Sequence, residues 1–236
     1  MMDNYYISYK NILRISIPVM VGSFANNIIN VVDTALLSRV SQVALGASAI
    51  GGIFYFIMIM AGGGFNTGMQ IMIARRVGEK NNTEVGKIFD NQLYQIIVIS
   101  LIAFIILHVF GDYILHQLIQ SSAIQKAASE FIYYRSYGIF FGILNSCFLA
   151  FYIGIGQTTI VNYTTIVLAI INALLAFCFI FGSYGFPEMG IGGAGLASTI
   201  AEAIVTGIYF IYTIRSDYAK QYSLFQFLRV DYELIK

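Results

Sequence analysis

The sequence predicts an all-α integral membrane protein built around a bundle of six transmembrane helices, and three observations carry that expectation. Residues 136 to 187 run for fifty-two positions without one Asp, Glu, Lys or Arg. A helix crosses a bilayer core in about 20 residues, so this block suits two spans and is too long for one. The chain is 58% hydrophobic and 11% charged, against roughly 25% charged residues in an ordinary globular domain. Its hydrophobic segments are apolar all round rather than alternating, which favours helices in lipid over the strands of a barrel.

The spans follow in order. Span 1 is expected over 12–37, and span 2 over 43–74, where Gly62-Gly63-Gly64 should tilt, bend or break an unusually long helix. Span 3 falls at 88–110 and span 4 at 131–153. The glycines of Gly154-Ile155-Gly156-Gln157-Thr158 then mark a turn. Spans 5 and 6 fall at 158–181 and 190–214. Residues 1–11 precede the bundle without the basic region, apolar core and cleavage site of a signal peptide, so span 1 should stay in the mature protein. In the tail, 215–236, Tyr218, Tyr222, Phe225 and Leu228 recur at three- and four-residue spacing, which predicts an amphipathic surface helix over 217–236.

Basic residues orient the bundle. Lys10, Arg14, Arg75, Arg76, Lys80, Lys87, Arg215, Lys220, Arg229 and Lys236 fall on one side. The other side holds only Arg39 and Lys126, with Arg135 near the start of span 4. That asymmetry puts both termini in the cytoplasm. No basic cluster is large enough for a nucleic-acid backbone. Cys147 and Cys178 lie in apolar spans without a matching ligand set and read as packing residues, and no organic cofactor is expected. The glycines at Gly46, Gly51 and Gly52 and from Gly190 to Gly195 read as close helix contacts. The latter run lacks the ending of a phosphate loop.

A few polar side chains stand where lipid should exclude them. Asn26, Asn30 and Asp33 share one face of span 1. A lone carboxylate at such a depth costs roughly 3 kcal/mol or more. Asp33 therefore reads as a protonatable or cation-binding group with amide neighbours, the bland alternative being a carboxylate that reaches interfacial water. Glu202 in span 6, with Ser198 one turn before it, reads either as a second functional carboxylate or as a packing hydrogen bond. Asn172 in span 5 could bring an amide to the same cavity. Asp90 and Glu130, near span ends, are expected to be solvated, and His108 and His116 have no partners that suggest chemistry.

With these residues in place the chain resembles the multidrug and toxic compound extrusion (MATE) transporters over almost all of 12–207. Ile12-Leu-Arg-Ile-Ser-Ile-Pro18 resembles the family's opening, and Asn30-Val-Val-Asp33-Thr34 its span 1 signature. Ala74-Arg-Arg-Val-Gly78-Glu-Lys-Asn81 is similar to its loop after span 2. Gly154 to Thr158 resembles the turn before span 5, and Phe181 to Ala194 the loop into span 6. The resemblance implies one lobe of a twelve-helix antiporter of the plasma (inner) membrane. Such a protein exports cationic or amphipathic small molecules in exchange for Na⁺ or H⁺, and is not an enzyme. It implies that a second six-helix lobe is needed for transport and that 215–236 serves as an inter-lobe linker. It implies a cation or proton site at Asp33, Asn172 and Ser198; by their own positions Asn30 and Glu202 could add to that site, and Asn26, Asn30 and Asp33 could line a substrate cavity. Ala176 stands where members with an N-lobe cation site carry a second Asp. Two other readings are a lipid-linked oligosaccharide flippase of the wider superfamily, which needs a cationic cavity that Arg135 could begin, and a non-transporting fragment.

The orientation can be tested by labelling. Single cysteines at Lys80→Cys and Lys220→Cys should react only with cytoplasmic reagent, and one at Glu188→Cys only with external reagent. Reaction of positions 80 and 188 from the same side would reject the six-span arrangement.

Overall fold

The computed structural model describes residue 20 and residues 28–226, and among them there are only helices, turns and connecting segments. In chain order the helices are α1 (Ile28–Ser38), α2 (Gln42–Gly78), α3 (Asn82–His108), α4 (Gly111–Leu118), α5 (Ser122–Ser136), α6 (Gly138–Gly154), α7 (Thr158–Phe181), α8 (Gly190–Arg215) and α9 (Asp217–Gln221). Among the described residues four helices, α2, α3, α7 and α8, are long and apolar enough to cross a membrane, and α5 and α6, bent by 55° at their junction, are so only when taken together as one span. Of the expected span 1 only α1 falls among the described residues.

The caps fix where the helices begin. Ser41 accepts the Ala44 N–H at 3.0 Å and opens α2, and Asn81 accepts the Glu84 N–H at 3.4 Å and opens α3. Between them Arg76 and Arg75 grip Glu79 at 2.7 and 2.9 Å, which holds its carboxyl below the usual range. Helix α7 ends at Gly182, whose φ of +65° suits a residue without a side chain. A Cβ there would also meet Glu188 Cβ at 2.9 Å.

Two expectations about helix shape change. Gly62-Gly63-Gly64 does not break α2, which runs for 37 residues. Gly62 instead receives Ile143 of α6, whose Cγ2 lies 2.9 Å from where a Cβ would stand. Span 4 begins earlier than 131, at Ser122, and bends by 55° between α5 and α6. The sequence reading missed this because Gln125, Lys126 and Glu130 dilute the hydrophobicity of its first half.

The core lies where α6 meets α2, α3 and α8. Phe148, Phe151 and Tyr152 are buried, Phe148 and Tyr152 stack on Tyr209, and the Tyr152 and Thr213 hydroxyls share a hydrogen bond of 2.6 Å. Cys147 is buried beside Met69, in keeping with a packing role. The glycine run of α8 is likewise a contact surface: Cβ atoms at Gly193 and Gly195 would fall 2.6 and 2.7 Å from the carbonyls of Phe179 and Phe131. Outward faces of α2, α3 and α7 expose Phe56, Ile57, Leu101, Ile102, Ile170 and Leu174, the apolar belt of an integral membrane protein.

The tail departs from the expected helix. Helix α9 ends at Gln221, and the chain then turns with φ of +53° at Ser223 and +59° at Phe225, while Leu228 lies outside the described residues. The turn folds back onto α3. The Phe225 N–H donates to Asp90 Oδ1 at 2.8 Å, and the Phe225 ring packs edge-on against Phe89 and Phe210. Asp90 is therefore 5% exposed rather than solvated. Gly86 leaves room for this crossing, since a Cβ there would collide with the Tyr222 carbonyl oxygen. Replacing it should cost about 1–3 kcal/mol of local stability. Gly86→Val should accordingly speed amide exchange at Tyr222–Phe225 by roughly tenfold or more while leaving α6 protected. Parent-like exchange in the tail would show that Gly86 is not its seat.

Candidate functional site

The polar side chains of the bundle gather in two connected places, and the more strongly charged one joins α1, α2, α5 and α8. Arg135 ends α5 at the bend, and Glu202 lies midway along α8. Arg135 donates Nη2–H to Glu202 Oε1 at 2.6 Å and Nη1–H to Oε2 at 2.8 Å, a fork that suits guanidinium and carboxylate geometry. Tyr55 of α2 adds its hydroxyl to Oε2 at 3.1 Å and places its ring 3.8 Å beneath the guanidinium. The two charged side chains are only 12% and 14% exposed.

Helix α6 makes the room. A Cβ at Gly138 would fall 2.6 Å from Arg135 Nη1, and one at Gly142 would fall 2.9 Å from the Tyr55 hydroxyl. Asn145 of α6 also donates to the Glu202 carbonyl at 3.1 Å and accepts from Thr206 at 2.9 Å. The pair is thus held through both the side chain and the backbone of Glu202.

Asp33 of α1 stands close enough to Arg135 for the two charges to attract. Its Oδ1 is buried and has no hydrogen-bond partner among the described residues. Asn30, one turn earlier, is exposed, and Asn26 lies outside the described residues. In the second place Asn172 of α7 donates to Ser198 Oγ at 2.9 Å, while Asn172 Oδ1 is buried without a partner among the described residues. Ser198 is one helical turn from Glu202 on α8. Ala176 is fully buried and adds no acceptor. No hydrogen bond joins Asp33 to Asn172 or Ser198.

Arg135 changes position most relative to the sequence reading, which put it among the outer-side charges near a span start. Because α5 starts at Ser122, Arg135 falls inside the crossing rather than at its edge. Its signal was available: opposite charges in lipid must find each other, and across expected spans 2 to 6 Arg135 is the one Lys or Arg that Glu202 could pair with. A further network was overlooked. Asn66 of α2 donates to Ser146 and to the Ile143 carbonyl of α6, and accepts from Gln92 of α3 at 3.0 Å. Amides in otherwise apolar runs are its trace in the sequence.

The family model described as MatE matches residues 18–178. The chain is 24% identical to the probable multidrug resistance protein NorM of Agrobacterium fabrum over 98% of its own length and 50% of that protein. It is 26% identical to the protein of the same description from Oceanobacillus iheyensis, over 92% of this chain and 48% of that one. The chain thus spans about half the length of the curated relatives it matches. Among solved structures, an outward-facing multidrug resistance MATE family transporter of the MOP superfamily superposes with a TM-score of 0.84 at 19% identity, over 95% of this chain and 49% of that one. The MATE multidrug transporter DinF-BH superposes with a TM-score of 0.78 at 33% identity, over 88% of this chain and 46% of that one.

Removing one member of a buried ion pair strands the other, at a cost of about 3–5 kcal/mol. Arg135→Gln and Glu202→Gln should each destabilise the protein by that order, and Arg135→Gln/Glu202→Gln together by much less than their sum. Equilibrium unfolding in mixed micelles measures the coupling, and strict additivity would show that the pair does not hold α5 to α8.

Proposed function

Because the chain belongs to the MatE family, we propose that it supplies the N-terminal six-helix lobe of a secondary transporter that exports cationic or amphipathic small molecules in exchange for Na⁺ or H⁺. The observation that carries this reading is the buried carboxylate oxygen of Asp33, which has no hydrogen-bond partner among the described residues. A carboxylate without a donor in a low-dielectric setting favours either a proton or a cation as its occupant. Binding one and then the other of coupling ion and substrate is what an exchanger requires. A second six-helix lobe completes the path, with the substrate near the midplane between lobes and the two rocking around it.

Asn172 and Ser198 support a cation site because Asn172 Oδ1 is a buried acceptor that no described residue engages. Residues 30 and 33 would line the substrate cavity with residue 26, and the termini would be cytoplasmic, as the basic residues suggest. The flippase reading draws less support, since Arg135, the cation that would begin its cavity, is engaged by Glu202.

Dye efflux from proteoliposomes under an imposed pH or Na⁺ gradient tests the reading in the assembled two-lobe protein. Asp33→Asn should abolish gradient-driven efflux, and Glu202→Gln should weaken it. Parent-like efflux by Asp33→Asn would remove Asp33 from the coupling site.

A further inference from the structure

We propose that Arg135 is a positioning residue that keeps Glu202 a permanent carboxylate, so that of these two carboxylates it is Asp33 that gains and loses charge. The inference rests on the reading of Asp33 as the coupling group and adds which of the two membrane carboxylates takes part.

Both Glu202 oxygens already carry donors. Oε1 takes Arg135 Nη2–H at 2.6 Å, and Oε2 takes Arg135 Nη1–H at 2.8 Å and the Tyr55 hydroxyl at 3.1 Å. A proton arriving at Glu202 would have to displace one of these donors and leave the guanidinium without its counter-charge inside the bundle. Asp33 has the opposite character, with Oδ1 buried and no donor on it among the described residues. A proton that binds there displaces no donor of those residues.

The geometry that enforces the difference is built into three helices. Tyr55 of α2 lies flat against the guanidinium, and Gly138 and Gly142 of α6 let both groups approach within distances that any side chain would close. The charged and titratable groups facing Glu202 are Arg135 from α5 and Tyr55 from α2, with Asp33 of α1 acting on Arg135. From α6 come Asn145, Gly138 and Gly142, and along α8 itself Ser198, Thr199 and Thr206, none of which titrates. His108 of α3 is engaged by Ser136 at 2.9 Å. Asp33, Arg135 and Glu202 together carry one negative charge when Asp33 is ionised and none when it is protonated, so the lobe exchanges a single charge per cycle.

The test counts protons rather than transport. The whole protein in lipid nanodiscs is titrated between about pH 5 and about pH 9, and protonated carboxyl groups are counted from their infrared carbonyl band. The parent should take up one proton that Asp33→Asn loses. Arg135→Gln should take up one more than the parent, because Glu202 is then released, and Arg135→Lys should restore the parent count. Arg135→Gln/Glu202→Gln, which replaces the pair by amides and avoids a stranded charge, should also match the parent. An unchanged count in Arg135→Gln, or a count one lower in the double variant, would overturn the role given to Arg135. An unchanged count in Asp33→Asn would instead overturn the reading of Asp33.

Discussion

A charge inside a bilayer must find its counter-charge within the protein, and much of this bundle is arranged around how Arg135 and Glu202 do so. Lipid supplies neither hydrogen bonds nor dielectric screening, so an unpaired guanidinium or carboxylate at that depth would oppose insertion. Pairing them ties the end of α5 to the middle of α8. Tyr55 brings α2 into the same contact, and Asn145 brings α6. Four helices are thereby held in register at a point where apolar packing alone would allow them to slide.

Glycine is the means by which that contact is reached. Between helices in lipid the hydrophobic effect gives little, and close backbone approach with van der Waals contact does more of the work. Gly138 and Gly142 open α6 toward the ion pair, Gly62 admits Ile143, and Gly193 and Gly195 seat α8 against α7 and α5. At the far end of the bundle Gly86 plays the same part for the tail. There a carboxylate, Asp90, accepts the N–H of a residue in left-handed backbone conformation, and aromatic packing holds the ring.

Within this framework three buried side-chain atoms have no hydrogen-bond partner among the described residues: Ser100 Oγ of α3, Asp33 Oδ1 of α1 and Asn172 Oδ1 of α7. Buried polar atoms in membrane helices are generally paired, so an unpaired acceptor marks a place where something else can bind. Two acidic residues in apolar helices thus differ in their surroundings: Glu202 accepts from three donors, and Asp33 Oδ1 accepts from none among the described residues.

By itself the sequence determined the class, the approximate course of spans 2, 3, 5 and 6, and the contact role of Gly193 and Gly195. All of these depend on composition and short-range spacing, which the bilayer converts directly into structure. Expected spans at 158–181 and 190–214 fall on α7 and α8 almost residue for residue, because their boundaries are set by local glycines and by charges. Only the tertiary structure decided the fate of the polar residues. That Glu202 accepts from Arg135, sixty-seven positions earlier, could be read from neither segment alone. The tail read as a helix because its aromatic spacing is helical, yet those aromatics pack on α3 and α6 instead. Pairing across distant helices depends on which faces meet, and that is set by three-dimensional packing rather than by the periodicity of any one segment.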